Sequence, residues 1–211
     1  MSRYPVPAVF PDQPHQAELV IRRSRFLAHC ARTTGHAEAR AFVERIRAAH
    51  ADATHNCWAY VAGPPEQTAE IGFSDDGEPH GTAGRPMLQI LLHCGIGELC
   101  VVVTRWFGGV KLGTGGLVRA YQDSVRAVLA ELPQEERVPR CRALVRVEFA
   151  HLDRLHRLLP DVEARLLEES YDAAASLTIS LPRARWEEFT ALLAGRTDGR
   201  ATCDLLEDTP S

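Results

Sequence analysis

The sequence predicts an α+β protein built from two domains. Helical and strand periodicities alternate along the chain, and a polar segment bracketed by Pro133 and Pro139 separates two complete sets of elements. With 211 residues, 45% of them hydrophobic and 25% charged, each part can bury a core of its own. The predicted divisions are an N-terminal arm over 1–16, a first domain over 17–133, a linker over 134–139 and a second domain over 140–211.

The first domain is predicted to contain five strands and three helices, preceded by an arm that four prolines make irregular. Strand 55–61 places His55 and Cys57 on one face, and the continuous apolar strand 99–104 is typical of burial on both faces. Residues 117–132 carry the apolar stripe of an amphipathic helix. The other predicted elements are strands 17–21, 26–31 and 70–73, with a basic run between the first two, and helices 36–50 and 85–93.

The second domain is predicted to follow the order strand, helix, strand, strand, helix, strand. This order is the split βαβ pattern of ferredoxin-like domains. Pro160 is expected to end the first helix and Pro182 to begin the second. The predicted strands are 141–149, 162–171, 173–181 and 201–207, and the predicted helices are 151–159 and 182–194.

Composition excludes several classes of protein. The net charge is 24 − 28 = −4, so any nucleic-acid binding must come from a local patch rather than from global attraction. No apolar run is long enough to cross a bilayer, and the first residues lack the apolar region of a signal peptide, so we expect a cytoplasmic protein. Six cysteines without close pairs predict reduced thiols and no metal site.

A glycine-rich loop follows the buried strand 99–104 and precedes the amphipathic helix, a position where backbone N–H groups can hold an anion. The loop contains Gly108, Gly109 and Gly113. It lacks the lysine of a phosphate-binding P-loop, and no G-x-G-x-x-G can be placed in it, so we do not expect a nucleotide hydrolase. The pattern leaves two interpretations open, a ligand-contacting loop and a tight turn that merely permits packing.

Basic and aromatic residues stand beside these glycines. The segment 100–122 has no acidic residue and a local charge of +3, which comes from Arg105, Lys111 and Arg119. Cations next to the rings of Trp106 and Phe107 are typical of proteins that bind single-stranded nucleic acid. The alternative is that both rings fill the core and that Arg105 pairs with a carboxylate.

An acidic loop over 74–81 is the second candidate site. It contains three carboxylates and a histidine, which could form a hard-metal site or a general acid–base pair. Its Asp-Gly and Glu-Pro dipeptides also mark ordinary turns. His55 and Cys57 share a strand face, but a nucleophile pair needs direct hydrogen-bond reach and a third orienting group, so core packing is the simpler interpretation.

Five motifs, in order, resemble the IMPACT family: SRF at 24–26, HNCWAY at 55–60, SDDGEP at 74–79, GTAGRP at 81–86 and VTRWFGGVKLG at 103–113. The resemblance covers about 17–132, and 140–207 resemble the second domain of the bacterial branch. It implies a first domain with the fold of the second domain of ribosomal protein S5, a sheet with helices packed on one side. It also implies a ferredoxin-like second domain similar to the last domain of elongation factor G.

The resemblance also connects the chain with translation. Eukaryotic members oppose activation of a starvation-responsive kinase that controls translation, and they do so with an additional N-terminal domain. This chain has only the short arm at that place, so we do not carry that mechanism over.

Two functional hypotheses follow. The first is a non-enzymatic RNA- or ribosome-associated protein without a cofactor, whose expected contacts are Arg85, Arg105, Trp106, Gly108, Gly109, Lys111, Gly113 and Arg119. The second is an enzyme that acts on a small phosphorylated or peptide substrate through the loop from Asp75 to His80. The first is favoured because no coherent nucleophile, metal cluster or nucleotide loop is present. We expect no membrane association and no DNA-specific contact, and the oligomeric state stays open.

Overall fold

The structure is a computed structural model that describes residues 3–206. It has the mixed composition that the sequence predicts, with 34% of residues in helix and 35% in strand. The described residues fall mainly into two compact units, 4–137 and 138–206. None of the helices within 3–206 is long and apolar enough to span a bilayer.

Seven strands belong to the first unit: β1 (Tyr4–Pro7), β2 (His15–Ile21), β3 (Ser24–Arg32), β4 (His55–Val61), β5 (Ile71–Ser74), β6 (Leu99–Trp106) and β7 (Gln134–Arg137). Five of them form an antiparallel sheet in the order β2-β3-β6-β4-β5, with β6 at its centre. The register places Arg105 of β6 opposite Phe26 of β3 on one side and His55 of β4 on the other. Three distant segments of the chain therefore meet at one end of the central strand.

The helices of the first unit are α1 (Gly35–Ala49), α2 (Gly84–His93) and α3 (Thr114–Ala130), and they cover both faces of this sheet. Val101 and Val103 of β6 join the core beneath α2 and α3, whereas Cys100 and Val102 join the core beneath α1. The continuous apolar pattern of β6 correctly predicts burial on both sides. The expectation of helices on one side only, which came from the family resemblance, is wrong because α1 occupies the opposite face.

The predicted arm and linker both contain strand. β1 lies within the arm, β7 lies within the linker, and the two pair with each other from Tyr4 opposite Arg137 to Pro7 opposite Gln134. The prolines of β1 are tolerated because this two-stranded ribbon leaves one side of each strand unpaired. β7 reads QEER and is exposed throughout, so its sequence lacks the apolar alternation by which a strand is recognised.

The second unit has the predicted order of elements. They are β8 (Arg140–Val147), α4 (Phe149–Asp161), β9 (Arg165–Tyr171), β10 (Ala175–Pro182), α5 (Trp186–Arg196) and β11 (Thr202–Leu206). The strands form one antiparallel sheet in the order β11-β8-β10-β9. Alternate residues of β8 and β10 pack with α4 and α5 into a separate core. A short 3₁₀ turn precedes α5, α4 continues one residue past Pro160, and the predicted strand end at Glu207 lies outside the described residues.

Candidate nucleic-acid interface

A buried ion pair joins the end of β6, just before the glycine-rich loop, to the acidic loop. Arg105 Nη1 donates to Glu78 Oε1 at 2.5 Å, and only 5% of Arg105 and 7% of Glu78 is exposed. Tyr121 Oη donates to the same carboxylate oxygen at 2.8 Å, and Arg105 Nη2 lies 3.4 Å from Ser24 Oγ. Charge-assisted hydrogen bonds thus satisfy Glu78 Oε1 away from water. Arg105 lies below the surface, whereas the sequence led us to expect it as a phosphate contact.

The acidic loop is held in place by its first two carboxylates. Asp75 Oδ1 accepts hydrogen bonds from the backbone N–H groups of Ala83 and Gly84 at 2.9 Å each, and its Oδ2 accepts one from Gly81 at 2.8 Å. Burial opposes ionisation of Asp75, but these three donors outweigh it and lower the pKa of the carboxyl. Asp75 therefore anchors the loop to the first turn of α2.

Asp76 has an equally structural role. One of its carboxylate oxygens accepts the backbone N–H of Asn56 at 2.7 Å, and the other accepts Arg47 Nη2 at 2.8 Å. His80 is fully exposed, with its Nδ1 3.9 Å from Asp75. Within residues 3–206, no three His, Cys, Asp or Glu side chains are placed to hold a metal ion.

His55 and Cys57 reach the ion pair from β4. His55 Nδ1 lies 2.8 Å from the backbone oxygen of Asp76, and its Nε2 lies 3.9 Å from Glu78 Oε2. Cys57 Sγ lies 3.3 Å from Tyr121 Oη and 3.0 Å from the Asp75 backbone oxygen. Burial raises the pKa of the Cys57 thiol, and burial also raises the pKa of Tyr121, with Cys57 and Glu78 adding to it. Both groups therefore stay protonated at neutral pH, which makes Cys57 a poor nucleophile.

The glycine-rich loop is fastened against the turn between β2 and β3. Gly108 N donates to Ser24 Oγ at 3.2 Å, and a Cβ added at Gly108 would lie 2.0 Å from the backbone carbon and oxygen of Arg23. Only glycine allows this approach. Gly109 and Gly113 have positive φ values of 83° and 75°, and Gly113 immediately precedes the first residue of α3.

The two aromatic residues of the loop have different surroundings. Trp106 is half-buried: the Arg25 guanidinium lies 4.4 Å from its ring centroid, His50 packs edge-on at 5.5 Å, and its indole N–H donates to Asp52. Phe107 is 47% exposed; its backbone N–H donates to Thr54 Oγ1 at 3.1 Å, and the Arg105 guanidinium carbon lies 5.6 Å from its ring centroid. Phe107 therefore offers the more accessible ring for stacking, while Trp106 is already held by neighbours.

Three of the expected cationic contacts are exposed. Lys111, Arg119 and Arg85 are exposed and form no ion pair with any residue in the range 3–206. Sequence reasoning missed Arg22 and Arg23, which form the two-residue turn that packs against Gly108. Both have positive φ, 46° and 68°, in a turn type that normally takes Asn-Gly. Their basic character is visible in the sequence, but their place beside Gly108 depends on the tertiary fold.

These segments enclose a cleft of about 390 Å³ in the first unit. Its lining comes from the start of β4, the acidic loop, the end of β6, the glycine-rich loop and the first turns of α3: Thr54, His55, Glu78, Pro79, Arg105, Phe107, Lys111, Leu112, Gly113, Thr114 and Leu117. The floor is polar and buried, one wall is aromatic, and Lys111 supplies a positive charge. Of the eight expected contact residues, Arg105, Lys111 and Gly113 line this cleft directly.

Comparison with known proteins agrees with the sequence resemblance. Residues 22–129 match the family described as the Impact N-terminal domain. The chain belongs to the IMPACT family. Residues 145–200 match a domain of unknown function.

Similarity to other IMPACT family members extends over both units. The chain is 42% identical to IMPACT family member YigZ of Escherichia coli, over 89% of this chain and 92% of that protein. An IMPACT family member of Haemophilus influenzae is 37% identical over 98% of both chains. A crystal structure titled as a hypothetical protein superposes with a TM-score of 0.69 at 39% identity over 99% of both chains.

Proposed function

We propose that this protein is a non-enzymatic RNA-binding factor that acts in the regulation of translation, alone or on the ribosome. The observation that carries the proposal is the exposed ring of Phe107 beside cations that form no ion pair with any residue from 3 to 206. Rings that stack on bases, next to cations that meet phosphates, are how single-stranded nucleic acid is held without a rigid template. The connection with translation rests on membership of the IMPACT family.

The cations that would meet phosphate are Arg22, Arg23 and Lys111. Arg105 is excluded from this set because Glu78 neutralises it below the surface. The chain has a net charge of −4, so an RNA must be attracted by this local patch rather than by the whole molecule. Two adjacent arginines held at positive φ are energetically unfavourable as a turn, and such strain is found preferentially where a function requires it.

The enzyme alternative is less well supported by the same site. The carboxylates of Asp75 and Asp76 already accept hydrogen bonds from backbone N–H groups, and that of Asp76 also accepts one from an arginine. Glu78 forms an ion pair with Arg105, and His80 is exposed to solvent. General acid–base catalysis needs a titratable group within reach of a substrate and free to exchange its proton. The loop serves instead as support for the floor of the cleft.

The test is the salt dependence of binding to a short single-stranded RNA. If Arg22, Arg23 and Lys111 each neutralise one phosphate, log K should fall against log salt with a slope of roughly −2.1, about −0.7 per phosphate. The double variant Arg23→Gln with Lys111→Gln should flatten that slope to roughly −0.7. Arg157→Gln is the matched control, because Arg157 is exposed on α4 and forms no ion pair with the described residues.

Stacking is tested separately. Phe107→Ala should weaken binding by about 1–3 kcal/mol while leaving the salt slope unchanged, since the ring carries no charge. Phe10→Ala is the control, because Phe10 is similarly exposed, at 55% against 47% for Phe107, but lines a different groove. The proposal would be wrong if the folded protein bound no RNA. It would also be wrong if neither the Arg23→Gln, Lys111→Gln double variant nor Phe107→Ala changed RNA binding.

A further inference from the structure

The floor of the cleft carries a carboxylate oxygen to which no residue within 3–206 donates a hydrogen bond. Glu78 Oε1 accepts from Arg105 and Tyr121, but Glu78 Oε2 accepts no hydrogen bond from any described residue. The side chain is 3% exposed and lines the cleft. Because Glu78 lines the cleft, a ligand bound there can supply the donor that Oε2 lacks.

A second acceptor stands beside it. His55 Nδ1 faces a backbone carbonyl, which can only accept, so Nδ1 must carry the hydrogen. In the neutral imidazole the other nitrogen, Nε2, is then an acceptor, and it lies 3.9 Å from Glu78 Oε2. With His55 in this neutral form, the floor presents two neighbouring acceptors to whatever enters the cleft.

Two acceptors at this separation match the two hydrogens of one amino group. Hydrogen bonds of about 2.9 Å from a single nitrogen reach acceptors that lie 3.9 Å apart with little bending. We infer that the floor formed by Glu78 and His55 holds the exocyclic amino group of a single RNA base, so that cytosine, adenine or guanine is taken and uracil is rejected. This inference rests on the proposed function, because it names the part of the RNA that enters the cleft.

The remaining walls agree with a nucleoside as occupant. A volume of about 390 Å³ is near the lower end of small-molecule sites, roughly 300–1,000 Å³, and suits one base with its sugar rather than a longer segment. Phe107 can stack on the base, and Lys111 can meet the phosphate attached to it. Uracil would turn a carbonyl oxygen toward two acceptors, which leaves all three without donors.

The experiment compares RNA oligomers that differ by one amino group. A short oligouridylate is measured against the same oligomer with one central cytidine, and one with a central guanosine is measured against its inosine counterpart, which lacks only the amino group. The wild-type protein should bind the cytidine and guanosine oligomers at least about fivefold more tightly than their partners. Equal affinity within both pairs would overturn the inference but leave RNA binding intact. If none of the oligomers bound, the proposed function itself would fail.

The variant Glu78→Gln tests whether Glu78 causes the preference for bases that carry an amino group. Gln keeps a carbonyl oxygen for Arg105 and Tyr121 and places an N–H donor where Oε2 stood. Preference for cytidine over uridine should then disappear or reverse, whereas a folded variant that retained the wild-type preference would contradict the assignment. Because the comparison of oligomers uses the unaltered protein, it decides the matter even if the variant does not fold.

Discussion

At the scale of single residues, buried polar groups of the first unit differ in how they are satisfied. Arg105, Glu78 and Tyr121 form short hydrogen bonds that compensate much of their burial, although Arg105 Nε has no partner among the described residues. His29 on β3 has no such compensation, because it is 1% exposed and neither ring nitrogen has a hydrogen-bond partner. The first group can support a site, whereas His29 can only remain neutral.

His29 should make the fold sensitive to acid. Burial, together with the neighbouring His50 ring 5.1 Å away, lowers its pKa to about 4. Because the unfolded chain takes up this proton near pH 6.5 and the folded chain does not, His29 favours the fold above pH 6.5 and loses that effect as pH falls toward 4. We expect the free energy of unfolding to drop by roughly 2–3 kcal/mol from this group between pH 7 and pH 4.

Urea unfolding of His29→Leu at both pH values checks this expectation. The variant should lose less stability on acidification than the wild type, whereas His93→Gln, at an exposed histidine at the end of α2, should behave as the wild type does. An identical acid response in wild type and His29→Leu would show that other groups are responsible.

At the scale of elements, the close approach of the glycine-rich loop to the β2–β3 turn holds the rim of the cleft. Gly108→Ala should destabilise the protein by about 1–3 kcal/mol, because its Cβ would overlap the Arg23 backbone and force the two segments apart. Gly115→Ala is the matched control in the first turn of α3, where a Cβ meets nothing within 4 Å. Chemical denaturation should leave that variant unchanged or slightly more stable. Equal stabilities of the two variants would contradict the contact.

The sequence predicts features that depend on local apolar patterns, and it misses features that depend on contacts between distant segments. Apolar patterning located β6, because it is a run of consecutive apolar residues, and α3, because its apolar residues recur at helical spacing. It missed β7, whose polar residues are fixed by pairing with β1 rather than by a core. It left Arg105 open between a nucleic-acid contact and the partner of a carboxylate. The structure confirms the second interpretation, and the sequence could not identify Glu78 as the partner because the register that joins them depends on the whole sheet.

At the scale of the whole molecule, the boundary between the two units is the part of the predicted organisation that is easiest to test. The polar segment after α3 was expected to be a linker over 134–139, but residues 134–137 are paired with β1. Only Val138 and Pro139 separate β7 from β8. We propose that the connection is confined to these two residues.

Limited trypsin digestion tests this boundary. Cleavage after Arg137 should release fragments over 1–137 and 138–211, because backbone outside a strand is cut in preference to backbone within one. Mass spectrometry of the first products identifies the site. Early cleavage within β6, with the 137–138 bond intact, would contradict the boundary.

Because the ion pair forms the floor of the cleft, ligand binding in the cleft depends on the folding of the first unit. Its contacts join residues far apart in the chain, with separations of 27 between Glu78 and Arg105, 43 between Glu78 and Tyr121 and 81 between Ser24 and Arg105. No local segment can form this floor alone, so it is complete only when the five-stranded sheet and α3 are in place. A ligand that binds there is therefore coupled to global rather than local unfolding. At a concentration one hundred times its dissociation constant it would slow hydrogen exchange of the most protected amides by a factor of about 100, equivalent to about 2.7 kcal/mol.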